Sequence, residues 1–354
     1  MKHKGGVGVR EYLPGLVGNI ALRERLGAEL ERGAFSHAYI LEGPRGCGKH
    51  TLAREIILSL ACEHRTDAAT PLPCGVCPTC RKIAAGNCPD VIFVSREADK
   101  ATLGVDVIRT MREGVSVLPN DLDVKIYVIE DAHTMTAQAQ NALLLTLEEP
   151  PSFVRFLLLS EQGDALLETI RSRAPILRMQ PVEDEMLCAY LLSPARGAVA
   201  RTAAALGEGG ELAALLRMAG GRIGRALELL EEKRRAPVMA RREAASALCA
   251  LLADGKRRDA LLAHLLSFGT ARDELCARLL LCKEALRDLI ALCCSEEAPL
   301  VFFTDREAAV ELSARFLQRE LFQFVEATDL ALAALSANAN TRLVMIQYLC
   351  RLTA

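Results

Sequence analysis

The chain has 354 residues, more than one typical domain holds, so two or three domains are expected. Half of the residues (51%) are apolar and a quarter (25%) are charged, the composition of an ordinary soluble protein with ample material for a core. The net charge of -2 excludes a global signature of nucleic-acid or membrane binding, so any such contact must come from a local patch. No apolar run reaches the length of a membrane span.

Two features of the sequence bear on its compartment. The N-terminal stretch MKHKGGVGVREYLPG contains basic residues but lacks the apolar segment of a signal peptide. The 13 cysteines are an odd number, scattered through helical stretches with one tight cluster. This distribution favours a reducing compartment over a disulfide framework. We therefore expect a cytoplasmic protein without a membrane partner.

The first half of the chain alternates between helix and strand patterns. Helical periodicity is found in IALRERLGAELERG (20–33), TLAREIILSLACEH (51–64), VDVIRTMREGVSVL (105–118) and AQAQNALLLTLEE (137–149). Short apolar runs typical of buried parallel strands are HAYILEG (37–43), DVIFV (90–94), KIYVIED (125–131) and RFLLLS (155–160). Because strands and helices follow one another, the sequence predicts an α/β fold with a parallel sheet and helices on both faces.

The pattern changes after ILRMQPVEDE (176–185), beyond which no convincing strand series follows. Helical segments rich in Ala, Leu and Arg are interrupted by glycines at 207–210 and 220–224. The charged stretch LEEKRRAP (230–237) is expected to lead into a third unit. The predicted domains are an α/β domain over 1–180, a small helical domain over 181–235 and a helical domain over 236–354.

A glycine-rich loop lies between the first strand and the second helix, where phosphate-binding loops occur. Its glycines allow backbone N–H groups to approach phosphates, Lys49 can reach the terminal phosphates, and the following helix presents its positive end. The alternative is a glycine-rich turn that binds nothing. The candidate residues are Gly43, Pro44, Arg45, Gly46, Cys47, Gly48, Lys49, His50 and Thr51.

His50 occupies the position at which such loops carry a Ser or Thr hydroxyl for Mg²⁺. Imidazole is a poor magnesium ligand compared with a hydroxyl. Thr51 follows one place late, which on a helix is a rotation of about 100° away from the site. We expect that ATP or ADP binding can survive while magnesium-dependent hydrolysis suffers.

An acidic pair, Glu130 and Asp131, ends the strand KIYVIED. In nucleotide hydrolases an acidic pair at this place holds Mg²⁺ and polarises the attacking water. The usual order is Asp then Glu, whereas this chain has the reverse. The longer Glu130 can still reach a metal-bound water, and the shorter Asp131 falls short of the catalytic water. The alternative is a pair of solvated acids at a strand end.

The cysteine cluster contains two consecutive C-x2-C turns preceded by a fourth cysteine. Such a set suits a closed, tetrahedral, structural Zn²⁺ site. Free surface cysteines are one alternative, and a redox dithiol is another. Cys88 and His64 are reserve ligands. The candidate ligands are Cys62, Cys74, Cys77 and Cys80.

These features together resemble the AAA+ clamp-loader subunits of bacterial DNA polymerase III, and within them most closely the delta-prime family. The matching stretches include SHAYILEGPRGCGKHTLA, CGVCPTCRKIAAGNCPDV, NALLLTLEEPP (141–151), ETIRSRAPILRM, GGRIGRALELLEE and NANTRLVMIQYL. The resemblance covers nearly the whole chain. It implies a nucleotide-binding α/β domain, a small helical lid and a C-terminal helical collar that packs into a five-subunit ring.

The resemblance also implies partners and two further site residues. The partners are gamma or tau and delta subunits, the sliding clamp, and primed DNA contacted through the ring. Arg173, in Ser172-Arg173-Ala174, matches the arginine that completes a neighbour's ATP site, although the cysteine of that motif is lost and Arg171 lies close by. Arg225 matches the lid arginine called sensor 2. The alternatives are a surface or salt-bridging role for Arg173 and an ordinary exposed helix charge for Arg225.

Departures from the motor pattern favour a delta-prime subunit acting as a stator. Motor subunits keep GKT or GKS and an Asp-Glu pair, and tau is much longer. We expect a subunit that does not itself polymerise DNA and has weak or no ATPase activity. Two other functions remain: a short motor ATPase of the same complex, and a zinc-containing nucleic-acid binder with an inert loop. Ten Phe, five Tyr and no Trp weigh against the second, because base stacking needs such rings.

Overall fold

The computed structural model describes residues 10–97, 100–208, 210–255 and 258–353. The first nine residues, part of the stretch on which the expectation of no signal peptide depends, lie outside the described residues, as does Gly209 of the predicted glycine break. The chain forms two compact units, one with residues up to Leu191 and Gly221–Arg225, the other with Leu192–Gly220 and the residues from Ala226 onward. The three-domain division stays a prediction.

The first unit is built on a five-stranded sheet in which every pairing is parallel. Its strands are β1 Ala38–Glu42, β2 Val91–Val94, β3 Lys125–Ile129, β4 Val154–Ser160 and β5 Ile176–Arg178. Their order across the sheet is β2-β3-β4-β1-β5. The four strands predicted from apolar runs are confirmed, because strands buried on both faces are continuously apolar. β5 was not predicted, since three residues are too few to show a pattern.

Seven α-helices belong to the described part of this region: α1 Ile20–Glu31, α2 Lys49–Ala61, α3 Pro78–Ala84, α4 Val105–Glu113, α5 Ala137–Glu148, α6 Glu168–Arg171 and α7 Asp184–Leu192. The predicted boundaries of two helices, α2 and α4, were wrong. α2 already begins at Lys49, directly after a left-handed Gly48, and ends before the extended Cys62. α4 stops at Gly114 rather than continuing to residue 118.

Alternate side chains of the central strands enter two different apolar clusters. Tyr127 and Ile129 of β3 pack in one cluster with residues of α4 and α5. Ile126 and Val128 pack in the other cluster with residues of α1 and α2. Since successive side chains of a strand point to opposite faces, the sheet is covered by helices on both sides, as predicted.

The rest of the described chain is all-helical. Its helices are α8 Ala198–Glu208, α9 Glu211–Ala219, α10 Ile223–Leu230, α11 Glu232–Ala253, α12 Arg258–Leu266, α13 Arg272–Cys294, α14 Arg306–Ser313, α15 Gln318–Ser336 and α16 Thr341–Leu352. Leu248, Leu286, Phe324 and Tyr348 are members of one large buried cluster of the second unit. None of the described helices has both the length and the hydrophobicity needed to cross a membrane.

Glu274 links two long helices of the second unit. Its carboxylate accepts hydrogen bonds from Arg241 on α11 at 2.6 Å and from Arg278 on α13 at 2.8 Å. The bonds from Arg241, opposed by burial and supported by Arg278, hold the pKa of Glu274 below its ordinary value. This stabilisation is therefore present above the unfolded pKa, about 4.3, and is lost as the pH falls through the folded pKa.

We expect Glu274→Gln to lower the free energy of unfolding at pH 7 by about 1–3 kcal/mol, because charge-assisted hydrogen bonds are lost. The difference from the wild type should shrink as the pH falls below about 4. Urea titrations at several pH values measure both quantities. Glu243→Gln, an exposed change on α11, is the control. A difference that stays constant across this pH range would contradict the assignment.

Candidate nucleotide site and cysteine cluster

The glycine-rich loop connects the end of β1 to the start of α2. Gly46 and Gly48 have φ angles of +81° and +106°, which a residue with a side chain rarely adopts. A Cβ atom on Gly43 would lie 2.7 Å from the sulfur of Cys47. The loop therefore requires small residues where the phosphate-loop pattern has them, and it leads into a helix N-terminus that favours anions.

Lys49 is the first residue of α2 and is almost fully buried (7% exposed). Its Nζ donates hydrogen bonds to the carbonyl oxygens of Gly43 at 2.6 Å and Pro44 at 3.2 Å. The ammonium group is thus held against the loop by two neutral acceptors. A phosphate oxygen can replace such acceptors with a stronger, charge-assisted bond.

His50 and Glu130, 80 residues apart in sequence, form a side-chain pair. His50 Nε2 lies 2.9 Å from Glu130 Oε1. Thr51, the next residue of α2, is exposed. Mg²⁺ demands an octahedral set of oxygen ligands at about 2.0–2.1 Å. The Ser or Thr hydroxyl that would supply one ligand is replaced by an imidazole, and the Glu130 carboxylate is hydrogen-bonded to that imidazole, so these residues do not fit Mg²⁺.

Asp131 follows directly and has a left-handed backbone, with φ +47° and ψ +42°. Its carboxylate lies 3.8 Å from Arg96 Nε, and both side chains are about half exposed. The two acids of the reversed pair therefore have different neighbours: Glu130 contacts the helix after the loop, and Asp131 contacts the segment that follows β2.

The backbone at Gly224 and Arg225 touches the loop. The N–H of Gly224 donates to the carbonyl oxygen of Gly46 at 2.8 Å. A Cβ atom on Gly224 would lie 2.8 Å from the Cα of Gly46, and one on Gly46 would lie 2.9 Å from the nitrogen of Arg225. The backbone of Arg225 thus lies beside the loop, and its role as a nucleotide contact stays a prediction. Gly224 was missed by sequence reasoning, although its place one residue before Arg225 is a usable signal.

We expect Gly224→Ala to destabilise the first unit by about 1–3 kcal/mol, because the added methyl group has no space against Gly46. The displaced loop should also bind nucleotide more weakly. Urea unfolding and nucleotide titration measure the two effects. Gly207→Ala is the matched control, since its Cβ would meet only Leu212 at 3.7 Å. Equal behaviour of the two variants would argue against close packing of the loop.

Arg173 contacts residues outside the glycine-rich loop. Its Nη2 donates to Glu148 Oε1 at 3.0 Å and its Nη1 donates to the carbonyl oxygen of Thr169 at 3.0 Å. The side chain is about one-third exposed. Arg171 forms a separate pair with Asp164 at 2.9 Å. Glu148, within the run NALLLTLEEPP, is thus a neighbour of Arg173 that sequence reasoning did not identify.

The four cysteines predicted to bind Zn²⁺ come together. Their sulfur atoms all lie within 4.8 Å of one another, and those of Cys74 and Cys80 are 3.9 Å apart. Zn–S bonds of about 2.3 Å in a tetrahedron place sulfurs about 3.8 Å apart. The backbone N–H groups of Cys77 and Cys80 each lie 3.4 Å from the sulfur of the cysteine three residues earlier. This donor set fits a structural Zn²⁺ ion.

Local structure explains how the quartet forms. Cys62 directly follows α2, Cys74 and Cys77 lie on the loop after it, and Cys80 lies in α3. Cys62, Cys77 and Cys80 are buried. Burial raises the pKa of the Cys62 and Cys80 thiols above the ordinary value, so a cation is the natural means of holding them as thiolates.

The reserve ligands stand outside this quartet. Cys88 groups instead with Asp90 and Asp121. The Asp90 carboxylate accepts the N–H groups of Asn120 and Leu122 as well as that of Asp121. Asp90 is therefore a structural cap for that loop. His64, near Cys74, is exposed and is not a member of the quartet.

Residues 18–183 match the protein family described as "DNA polymerase III, delta subunit". The tau subunit of Bacillus subtilis DNA polymerase III is 37% identical over 158 residues, covering 45% of this chain and 27% of that protein. The gamma subunit of Buchnera aphidicola is 33% identical over 182 residues, covering 51% of this chain and 48% of that protein. The chain thus spans between a quarter and a half of these relatives.

Among solved structures, a gamma subunit-related protein from Thermotoga maritima has a TM-score of 0.42 at 17% identity, covering 93% of this chain and 98% of that one. The sequence matches, rather than this likeness, establish the relationship. The N-terminal half of the chain is similar to subunits of DNA polymerase III named delta, gamma or tau. The relatives matched by sequence are named gamma or tau.

Proposed function

We propose that the chain is a delta-prime-type subunit of the DNA polymerase III clamp loader, a stator that helps load the sliding clamp onto primed DNA in the cytoplasm. Its neighbours in the five-subunit ring are gamma or tau and delta. Residues 1–180 form the AAA+ domain, 181–235 the lid and 236–354 the collar. DNA is contacted through the assembled ring, chiefly at its phosphates.

The observation that carries this proposal is the bond between His50 and Glu130. It joins two positions from which a motor subunit would hold Mg²⁺. Phosphoryl transfer in such proteins depends on a metal ion that neutralises charge between the β and γ phosphates. A chain that keeps Lys49 but pairs these two positions is suited to binding nucleotide and poorly suited to hydrolysing it.

In this proposal, Arg173 is the residue through which the stator contributes to ATP hydrolysis by a neighbouring subunit. A guanidinium group presents a planar fork of N–H donors that matches phosphate oxygens. Glu148 holds the head of Arg173 in place, and one-third of the side chain remains exposed. These properties support a role in trans at the ATP site of a neighbouring motor subunit.

The proposed subunit also contains a zinc module formed by the cysteine quartet. We assign Cys62, Cys74, Cys77 and Cys80 to one structural Zn²⁺ ion. Arg10 supports the same segment, because its guanidinium donates to the carbonyl oxygens of Thr70 at 2.8 Å and His64 at 2.9 Å. Zinc would stiffen this module and would take no part in hydrolysis.

A short motor ATPase is the second candidate, because the sequence relatives are named gamma or tau. The deciding experiment compares ATP turnover by the purified chain with turnover by a ring reconstituted from gamma, delta and this chain. The stator proposal expects no magnesium-dependent turnover by the chain alone, and clamp loading only when the chain is present. Robust turnover by the chain alone would make it a motor. Clamp loading without it would exclude the stator role.

A further inference from the structure

The two acids that end β3 each have a cationic or N–H-bearing neighbour within the same chain. Glu130 pairs with His50 at 2.9 Å, and Asp131 lies 3.8 Å from Arg96. Since a carboxylate oxygen accepts hydrogen bonds, the 2.9 Å contact is satisfied by the imidazole tautomer that donates its Nε2 proton to Glu130. The side chain in the magnesium-ligand position of the loop is thereby a hydrogen-bond donor to the acid.

The loop retains the lysine and the glycines that are expected to bind phosphate. Lys49 stays against the loop through two carbonyl oxygens, and the glycines keep their left-handed conformations at Gly46 and Gly48. Backbone N–H groups at the start of a helix favour anions without needing a metal ion. The chain therefore keeps the groups that bind phosphate, although it lacks the hydroxyl that binds Mg²⁺.

We propose that the loop binds a nucleoside diphosphate or triphosphate without Mg²⁺, with the His50–Glu130 pair standing where the metal would be held. The inference rests on nucleotide binding by the loop, which the proposed function includes. Phosphate charge is met by Lys49, the N–H groups of the loop and the α2 terminus. The hydrogen bond to His50 engages the Glu130 carboxylate, whose charge would otherwise repel the phosphates.

The test is titration calorimetry of the full chain with ADP and with ATP. Each titration is done in metal-depleted buffer and again with Mg²⁺ or Mn²⁺. Metal-depleted buffer replaces a chelator, because a chelator would also strip zinc from the cysteine quartet. Mn²⁺ is included because imidazole is a better ligand for transition metals than for Mg²⁺.

We expect the wild-type dissociation constant to agree within about twofold between metal-depleted and Mg²⁺ buffers, a difference well below 1 kcal/mol. His50→Thr restores the hydroxyl and releases Glu130, so Mg²⁺ should then tighten binding by about tenfold or more. His133→Thr, the same change at another histidine near the end of β3, should behave as the wild type. Lys49→Ala should lose binding in every buffer.

Each contrary result overturns the inference. Wild-type binding that needs Mg²⁺ or Mn²⁺ would show that the site holds a metal ion. Absence of wild-type binding in every buffer, or binding unchanged in Lys49→Ala, would show that the loop is not the site. The stator role has a separate test, through turnover and clamp loading by the assembled ring and through Arg173, so failure of the two proposals can be distinguished.

Discussion

Replacing Arg173 with alanine is expected to slow ATP hydrolysis at one site of the assembled clamp loader by about 10³–10⁵-fold, the range for loss of an arginine finger. The physical reason is the loss of a bidentate cation that stabilises charge on the transferred phosphoryl group. Only the site facing this chain should be affected. Single-turnover hydrolysis, which resolves a slow site from fast ones, is therefore the appropriate measurement.

Three comparisons separate this role from a structural one. Arg171→Ala removes the same charge two residues away, from a pair with Asp164, and should leave hydrolysis unchanged. Arg173→Lys keeps the charge but not the planar fork, and should recover only part of the rate. Gel filtration should show intact rings for all variants. Equal rates in the Arg171 and Arg173 alanine variants would exclude the finger.

In the proposed stator role, the pairing of Arg173 with Glu148 orders a partly exposed arginine for contact with a neighbour. A free arginine loses side-chain entropy when it is ordered, about 2 kcal/mol. The 3.0 Å bond from Arg173 to Glu148 lowers that cost by ordering the guanidinium before the neighbour binds. The same carboxylate competes with phosphate for the guanidinium, so it also restrains Arg173 until a more highly charged group arrives.

Four of the five strands were predictable from sequence, whereas the short edge strand β5 and the short helix α3 were not. β3 and β4 are buried throughout most of their length, so their sequences are continuous apolar runs. β5 has three residues, and α3 has seven with cysteine as its N-cap, too short for a periodic signal. The end of α4 at Gly114 was overlooked, because apolar residues continue beyond the glycine.

The sequence predicted less of the candidate site than of the sheet. Sequence motifs identified Lys49, His50 and Glu130 individually, because each stands at a fixed place relative to a strand or helix. The bond between His50 and Glu130 depends on the position of α2 relative to β3, which no local pattern encodes. The contact of Gly224 with the loop likewise joins segments far apart in sequence. The sequence therefore predicts which residues belong to such a site, whereas the contacts between them become visible only in the structure.

The cysteine quartet offers the prediction with the clearest chemical readout. We expect one zinc ion per purified chain and its loss in Cys80→Ser, because Cys80 is a buried member of the quartet. Structural zinc contributes about 10–16 kcal/mol of apparent binding energy in small zinc-dependent peptides. We therefore expect a markedly lower unfolding midpoint and loss of amide-exchange protection across residues 62–84. Elemental analysis and hydrogen exchange measure the two effects.

Cys88→Ser is the matched control, because Cys88 is also buried but groups with Asp90 and Asp121. It should keep its zinc and its exchange protection. If the wild-type chain contains no zinc and unfolds at the same midpoint as Cys80→Ser, the quartet is a set of free thiols. If protection is lost only around the quartet while the sheet stays protected, zinc stabilises the module alone. Loss across β1 and α2 as well would mean that Cys62 transmits the metal's stabilisation to the helix that carries Lys49 and His50.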